Sequence, residues 1–319
     1  MLAESAQNPQ KSVSSAAPNA PLVSVCFPTY NGAETVERAL TSLLAQTYPN
    51  YEILVSDDHS RDDTLAICER IAAGHPQVRF VRPDHNLGFQ GNMHFLLERA
   101  TGKYFVWACQ DDYWDPQFLT TLVGALEKAP NAVCAQGAVR WFAQDGSDSV
   151  DLKLYGRDLP ERQSRLSLAA SLLARIGRED RLKVKNSIFM HGVWKRETFD
   201  AAIKAHRKTF SAERQILCQA ALAGDFIYLD QLLFYKQYYD VDLDERAPAS
   251  DEMVVLKKNS TRRSEVQDTL QAIMRSPIVP TATKPLAIAA LSFAYFRHRS
   301  KFKNKATKTI MKSLRKLRP

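Results

Sequence analysis

The stretch Tyr104-Phe105-Val106-Trp107-Ala108-Cys109-Gln110-Asp111-Asp112-Tyr113-Trp114-Asp115-Pro116 decides how the chain is read. Tyr104 to Trp107 is apolar and β-favouring, and it delivers two adjacent carboxylates to a strand end. Pro116 falls where a following helix would begin, a position that suits proline. Paired acids at the carboxyl end of a buried strand are costly unless a cation occupies the site. A divalent ion carrying a diphosphate is the natural occupant, because Mg²⁺ or Mn²⁺ is held by one or two protein carboxylates plus phosphate oxygens. The alternative is a helix start whose acids complement the dipole. The hundred residues before this stretch favour the first reading.

Upstream, Leu22 to Phe27 is a short β-like run ended by the turn signal Pro28-Thr29-Tyr30-Asn31-Gly32. The spacing of Val36, Ala39, Leu40, Leu43 and Leu44 predicts a helix. Tyr51 to Val55 makes a second strand, ending in Ser56-Asp57-Asp58-His59-Ser60. Ser60 and Asp63 have capping-box spacing for a helix carrying Leu65, Cys68, Ile71 and Ala72 inward. Val78 to Val81 is a third strand, and Asn86-Leu87-Gly88 turns into a helix with Phe89, Met93, Leu96 and Leu97 on its face. Strand alternating with helix argues for an open, mostly parallel sheet flanked by helices. Such sheets bind ligands beyond the carboxyl ends of their strands, where the polar clusters of this chain lie. No GxGxxG follows the first strand and no GxxxxGK[ST] occurs, which argues against a dinucleotide oxidoreductase and a P-loop enzyme.

The segments PLVSVCFPTYNGAETVERALTSLLAQTYPNYEILVSDDHSRDDT (21–64), NLGFQGN (86–92) and GKYFVWACQDDYWDPQF (102–118) resemble the family-2 glycosyltransferases of GT-A fold. The resemblance runs in register from about Pro21 to Leu122. It implies inverting transfer of a sugar from a nucleoside diphosphate sugar, a UDP-sugar being favoured, to a glycan or lipid-linked acceptor, with Mn²⁺ or Mg²⁺ on the diphosphate. By similarity, Pro28, Thr29 and Tyr30 border the nucleobase, and Asp57 or Asp58 binds the base or ribose. Asp111 and Asp112 fall on the DxD-type motif. Members commonly carry an acid where this chain has Gln110 (or Cys109 in another register), and Gln110 can hydrogen-bond a ribose hydroxyl. Asp112 is then the first choice as metal ligand, with Asp111 on metal or ribose.

The second half carries weaker signals. Val133 to Phe142 and Ile188 to Trp194 read as strands, Gln144 to Gln163 as irregular, and Leu166 to Ile176 as an amphipathic helix. Ser211 to Ala223 reads as a helix before the strand Phe226 to Leu229. A displacement at the sugar requires a base for the attacking hydroxyl. In the family a carboxylate near the start of that helix serves, and Glu213 occupies this neighbourhood, Arg214 being the alternative register. His191 is read as structural, His59 as a loop residue, and Trp107 and Trp114 as packing.

Composition sets outer bounds. The 319 residues, 45% hydrophobic and 24% charged, are those of an ordinary globular protein. Five scattered cysteines without a CxxC pair favour reduced thiols in a cytosolic setting. The net charge of +8 misleads. Ten Lys/Arg and no acid lie between Arg297 and Pro319; without them 33 basic residues face 35 acidic ones, about −2. Nucleic acid is therefore not an expected partner. Pro285 to Phe296 is apolar but too short to span a bilayer. With the basic tail behind it, it reads as an interfacial anchor for an anionic membrane, placing the protein peripherally on the cytoplasmic face. The expected organisation is a disordered tail (1–20), a glycosyltransferase domain (21–240, with a nucleotide-sugar half 21–143 and an acceptor half 144–240) and a helical C-terminal extension (241–319). A rival to the enzyme is a catalytically weak nucleotide-sugar-binding subunit of a membrane glycan-assembly complex.

Overall fold

The computed structural model describes residues 20–143, 187–205, 212–237 and 261–299. The expected disordered tail up to residue 19, the irregular stretch 144–163, the helix 166–176 and, of the C-terminal extension, residues 241–260 and the basic tail 300–319 lie outside the described residues.

The alternating pattern builds β1 (Val23–Thr29), α1 (Val36–Leu44), β2 (Tyr51–Asp57), α2 (Thr64–Ala72), β3 (Val78–Phe80), α3 (Gly88–Leu97) and β4 (Tyr104–Trp107). Then come β5 (Tyr113–Trp114), α4 (Phe118–Glu127), β6 (Ala132–Phe142), a 3₁₀ turn (Ser187–His191), β7 (Val193–Lys195), α5 (Arg196–Ala205), α6 (Ala212–Ala223) and β8 (Asp225–Gln237). Helices α7 (Arg262–Arg275) and α8 (Lys284–Arg299) close the described chain. Eight strands form one sheet in the order β3-β2-β1-β4-β7-β6-β8-β5. The half β3-β2-β1-β4 is parallel throughout. The other half is mixed: β7 runs antiparallel to both β4 and β6, β8 parallel to β6, and β5 antiparallel to β8.

Strands β1 and β4 are buried along their whole length, which is why they read as unbroken apolar runs. On α1, Val36, Ala39, Leu40 and Leu43 are buried as the period required. One core runs under both halves of the sheet and takes in Val266 and Ile273 of α7 and Ala287 and Leu291 of α8.

Several local expectations change. Ser60 does not cap α2; its hydroxyl bonds to Asp57 while Asp62 accepts from the Thr64 amide and hydroxyl. Leu65 and Ile71 are only partly buried, the helix burying Thr64, Cys68 and Ala72 instead. Phe89, the second residue of α3, stays 48% exposed, its ring 5.7 Å from that of Trp107. The acid pair leads into β5, not directly into a helix; α4 begins two residues after Pro116, where the Asp115 carboxylate accepts from the Gln117 amide. The strand expected over 188–194 is a 3₁₀ turn followed by three strand residues. Trp194 Nε1 donates to the Phe189 carbonyl at 2.8 Å, and a Cβ on Gly192 would meet the Ala135 carbonyl oxygen at 2.4 Å, so the chain folds back tightly there. Strand β8 runs thirteen residues, far past the expected Leu229.

Candidate active site

β1 and β2 are paired so that Thr29 stands opposite Asp57, and β4 lies on the other side of β1. The loops after these three strands therefore open on one rim. Asn31 enters the left-handed region at φ 46°, which asparagine tolerates, and its side chain accepts from the Arg61 amide at 2.8 Å. Its own amide donates to Ser60 Oγ at 3.0 Å. The first two loops are thus stitched together.

Asp57 and Asp58 are both buried. Asp57 accepts from the Ser60 amide at 3.1 Å, from the Ser60 hydroxyl and from Thr29 Oγ1 at 3.3 Å. Asp58 accepts from the Leu87 amide at 2.7 Å and so fixes the loop before α3. Burial raises its carboxyl above the ordinary range, against the pull of those loop amides. Pro28 and Thr29 are buried at the end of β1, and Tyr30 is half-buried just beyond. The Gln110 amide faces Tyr30: Oε1 accepts from the Tyr30 N–H at 2.9 Å and Nε2 donates to the Tyr30 carbonyl at 3.0 Å. Its place is a two-bond clamp between the acid-pair loop and the first loop.

The two acids differ. Asp111 is partly exposed, and its carbonyl accepts from Arg38 Nη2 at 2.9 Å. Arg38 also donates to Gln237 Oε1 at 2.6 Å and lies 4.6 Å over the Phe142 ring, tying α1 to the end of β8. Asp112 is fully buried. Its Oδ1 accepts from the Gln237 amide at 3.0 Å and its Oδ2 from Lys236 Nζ at 3.1 Å. Burial pushes Asp112 up to about 7 despite that ammonium, while the carboxylate in turn raises Lys236. His191 Nδ1 lies 4.0 Å from Asp112 Oδ2, buried and without a hydrogen-bond partner, its ring stacked on Phe234. Burial and the Lys236 charge hold His191 well below the usual imidazole range, hence neutral and able to ligate.

Cys109, Asp112 and His191 each bring one ligand-capable atom within 4.8 Å of the others. An orphaned imidazole nitrogen facing a carboxylate oxygen is a feature that a divalent cation would satisfy, so these three residues fit such an ion. Imidazole as a donor suits Mn²⁺ better than Mg²⁺. Glu213 opens α6. Its side chain reaches solvent, yet protein surrounds the carboxyl closely enough that desolvation raises it, with Lys236 and Arg214 pulling the other way. The Glu213 and Lys236 charges act on one another and on Cys109, which puts the candidate base in the same electrostatic cluster as the acid pair.

Sequence reasoning missed Lys236, Gln237 and Arg38 and set His191 aside. A lone lysine ending the apolar run Leu232-Leu233-Phe234-Tyr235 was the available signal for the first of these.

Comparison with known proteins bears on this arrangement. An uncharacterized glycosyltransferase of Haemophilus influenzae is 36% identical over 110 residues, 34% of this chain and 34% of that protein. The chondroitin synthase of Escherichia coli is 29% identical over 141 residues, 43% of this chain and 20% of that protein. The chain thus spans about a third or less of the length of these curated relatives. Among solved structures, Staphylococcus aureus TarS 1–349 in complex with UDP-GlcNAc superposes with a TM-score of 0.57 at 19% identity, covering 86% of this chain and 72% of TarS. The mannosyltransferase PcManGT of Pyrobaculum calidifontis, in complex with GDP-Man and Mn²⁺, gives 0.51 at 17% identity, covering 93% and 80%. At these identities the likeness speaks for the fold. The profile of the glycosyl transferase family 2 matches residues 24–190, more than half of the sequence, and the chain belongs to that family.

Proposed function

We propose that this chain is an inverting glycosyltransferase that moves a sugar from a nucleoside diphosphate sugar, a UDP-sugar being favoured, to a glycan or lipid-linked acceptor in cell-surface polysaccharide or glycoconjugate synthesis. The observation that carries this reading is the meeting, at one rim, of three strand-end loops with a buried and an open aspartate, the Glu213 carboxylate lying within electrostatic reach of Lys236 beside them. The ligands of the two structural neighbours, UDP-GlcNAc and GDP-Man, agree with it.

In this reading Pro28, Thr29 and Tyr30 border the base. Asp57 and Asp58, bound up in the two loops, shape the pocket for base and ribose. Gln110 holds Tyr30 in place. A divalent ion, Mn²⁺ or Mg²⁺, held by Asp112 with Asp111 beside it, would supply positive charge to the leaving diphosphate, where negative charge develops. Glu213 takes the proton from the acceptor hydroxyl as that oxygen bonds to the anomeric carbon and the bond to the diphosphate breaks. A carboxyl raised by desolvation is the better base for this task. Residues 21–143 would serve the donor and 144–240 the acceptor.

The basic residues beyond Arg297 are proposed to hold the protein at an anionic membrane on its cytoplasmic face. No described helix is long and apolar enough to cross a membrane. Within the apolar run of α8, Ala287 and Leu291 are fully buried against the core. Leu286, 38% exposed, is on its outer side.

A screen of nucleoside diphosphate sugars with Mn²⁺ or Mg²⁺, reading diphosphate release with and without acceptor, tests the reading. Release that depends on donor, ion and Glu213 supports it. Binding without turnover would favour the non-catalytic subunit, and no binding of any donor would end both.

A further inference from the structure

We infer that Lys236 is a diphosphate-binding residue, held by Asp112 at the rim where the phosphates of the donor arrive. The inference rests on the proposed function, because it presumes a donor of that class.

The placement is specific. The end of β8 is clamped on both sides, Tyr235 opposite Tyr113 of β5 and Lys236 opposite Trp141 of β6, so the lysine stem leaves the sheet directly beside the acid pair. Its Nζ lies 3.1 Å from Asp112 Oδ2 and 6.0 Å from the Trp141 ring centroid. The side chain is 21% exposed, so the ammonium borders the cleft without being sealed in the core. An ammonium carries three N–H donors. Among the described residues, Asp112 accepts one of them.

Charge gives the lysine a task beyond satisfying Asp112. The positive charge of Lys236 acts on Asp111, Asp112, Cys109, His191 and Glu213 together. A donor brings two more phosphate charges to a rim where Asp111, Asp112 and Glu213 already share one electrostatic cluster, and a divalent ion balances only the acid pair. Arg38 is turned to the Asp111 carbonyl and Gln237. Lys236, whose ammonium borders the cleft beside Asp112, is placed to meet the phosphates, and its flexible stem lets the ammonium swing from Asp112 toward them. A hydrogen bond between charged groups contributes about 1.5–3 kcal/mol, so its loss should weaken diphosphate binding by about 10- to 100-fold.

The test titrates UDP and GDP, and separately uridine and guanosine, into wild type, Lys236→Met and Lys236→Arg at fixed Mn²⁺. Lys236→Met should lose about 10- to 100-fold for the diphosphates with nucleoside affinity within about twofold, and Lys236→Arg should recover most of the loss. Equal losses for nucleoside and diphosphate would mean a merely structural strand end and overturn the inference, as would no loss at all. A second measurement needs no variant. In wild type, UDP or GDP should shield Lys236 from amine acetylation read by mass spectrometry, whereas the nucleosides should not; equal labelling with and without the diphosphate overturns the inference. A wild type that binds the diphosphates while Lys236 proves indifferent sinks this inference alone. A wild type that binds neither sinks the proposed function.

Discussion

Replacing Gly32 by alanine would place a Cβ 2.3 Å from Gln110 Cδ, 2.4 Å from its Oε1 and 2.5 Å from its Nε2. The backbone at Gly32 does not need glycine for its φ, so the cost is the displaced amide. Moving Gln110 breaks both bonds to Tyr30, at about 1 kcal/mol each. Alanine also restricts the unfolded chain, which returns about 0.4–1 kcal/mol. Gly32→Ala should therefore destabilise the protein by roughly 1–2 kcal/mol. Gln110→Ala alone should cost about 2–3 kcal/mol, since it also strands the partly buried Tyr30 N–H. In the double variant the obstacle is gone, and Gly32→Ala should become neutral or slightly stabilising. The expected coupling is thus about 2 kcal/mol, read from urea midpoints at constant m-value. Additive costs, with a coupling below about 0.5 kcal/mol, would refute the clamp. The same variants should weaken nucleoside binding, because the loop they release carries Tyr30.

Four further outcomes follow from the site and the core. Glu213→Gln should leave nucleoside diphosphate affinity near that of wild type while lowering sugar transfer by about 10²–10⁴-fold; transfer at the wild-type rate would take the base role from Glu213. Because burial raises Asp112 to about 7, ion-dependent nucleotide binding should weaken as the pH falls through that value, and a flat profile from about pH 5.5 to 8.5 would contradict it. A raised folded value also means that Asp112 favours the folded state below its unfolded value near 3.9 and loses that contribution as the pH rises through about 7, so Asp112→Asn should flatten the decline in stability across this window. Leu291→Ala on α8 should cost about 2–5 kcal/mol in chemical denaturation, whereas an outer helix lying on lipid would show almost none.

The parallel half of the sheet was legible because its signals are local. β1, β2 and β4 are buried runs that end in polar turns, and α1 shows its period without interruption. The loops that gather at the rim follow from strand order alone. The capping box at Ser60 misled because a serine hydroxyl is read by its spacing to the next helix, while here Asp57, three residues back, offered the acceptor. The 3₁₀ turn at Ser187–His191 is apolar enough to resemble a strand, and the turn depends on contacts of Gly192 and Trp194 that no window of sequence displays. The partners of Asp112 were out of reach for a plainer reason. Asp112 and Lys236 lie 124 residues apart and meet only because β8 pairs with β5 and β6.

That separation has a consequence for how the molecule comes into being. The pairings among β1, β2, β3 and β4 need only residues up to Trp107, and they can form early in synthesis. Asp112 emerges soon after, with neither the Lys236 ammonium nor the Gln237 amide yet made. A growing chain that buries this acid must keep it protonated, since an ionised carboxylate without a partner is costly in an apolar surround. Until β8 lies beside β6, the acid has neither of these partners. Non-local strand pairing is slow to form. The last strand in chain order thus brings both hydrogen-bond partners to an acid that the first half of the sheet has set in position.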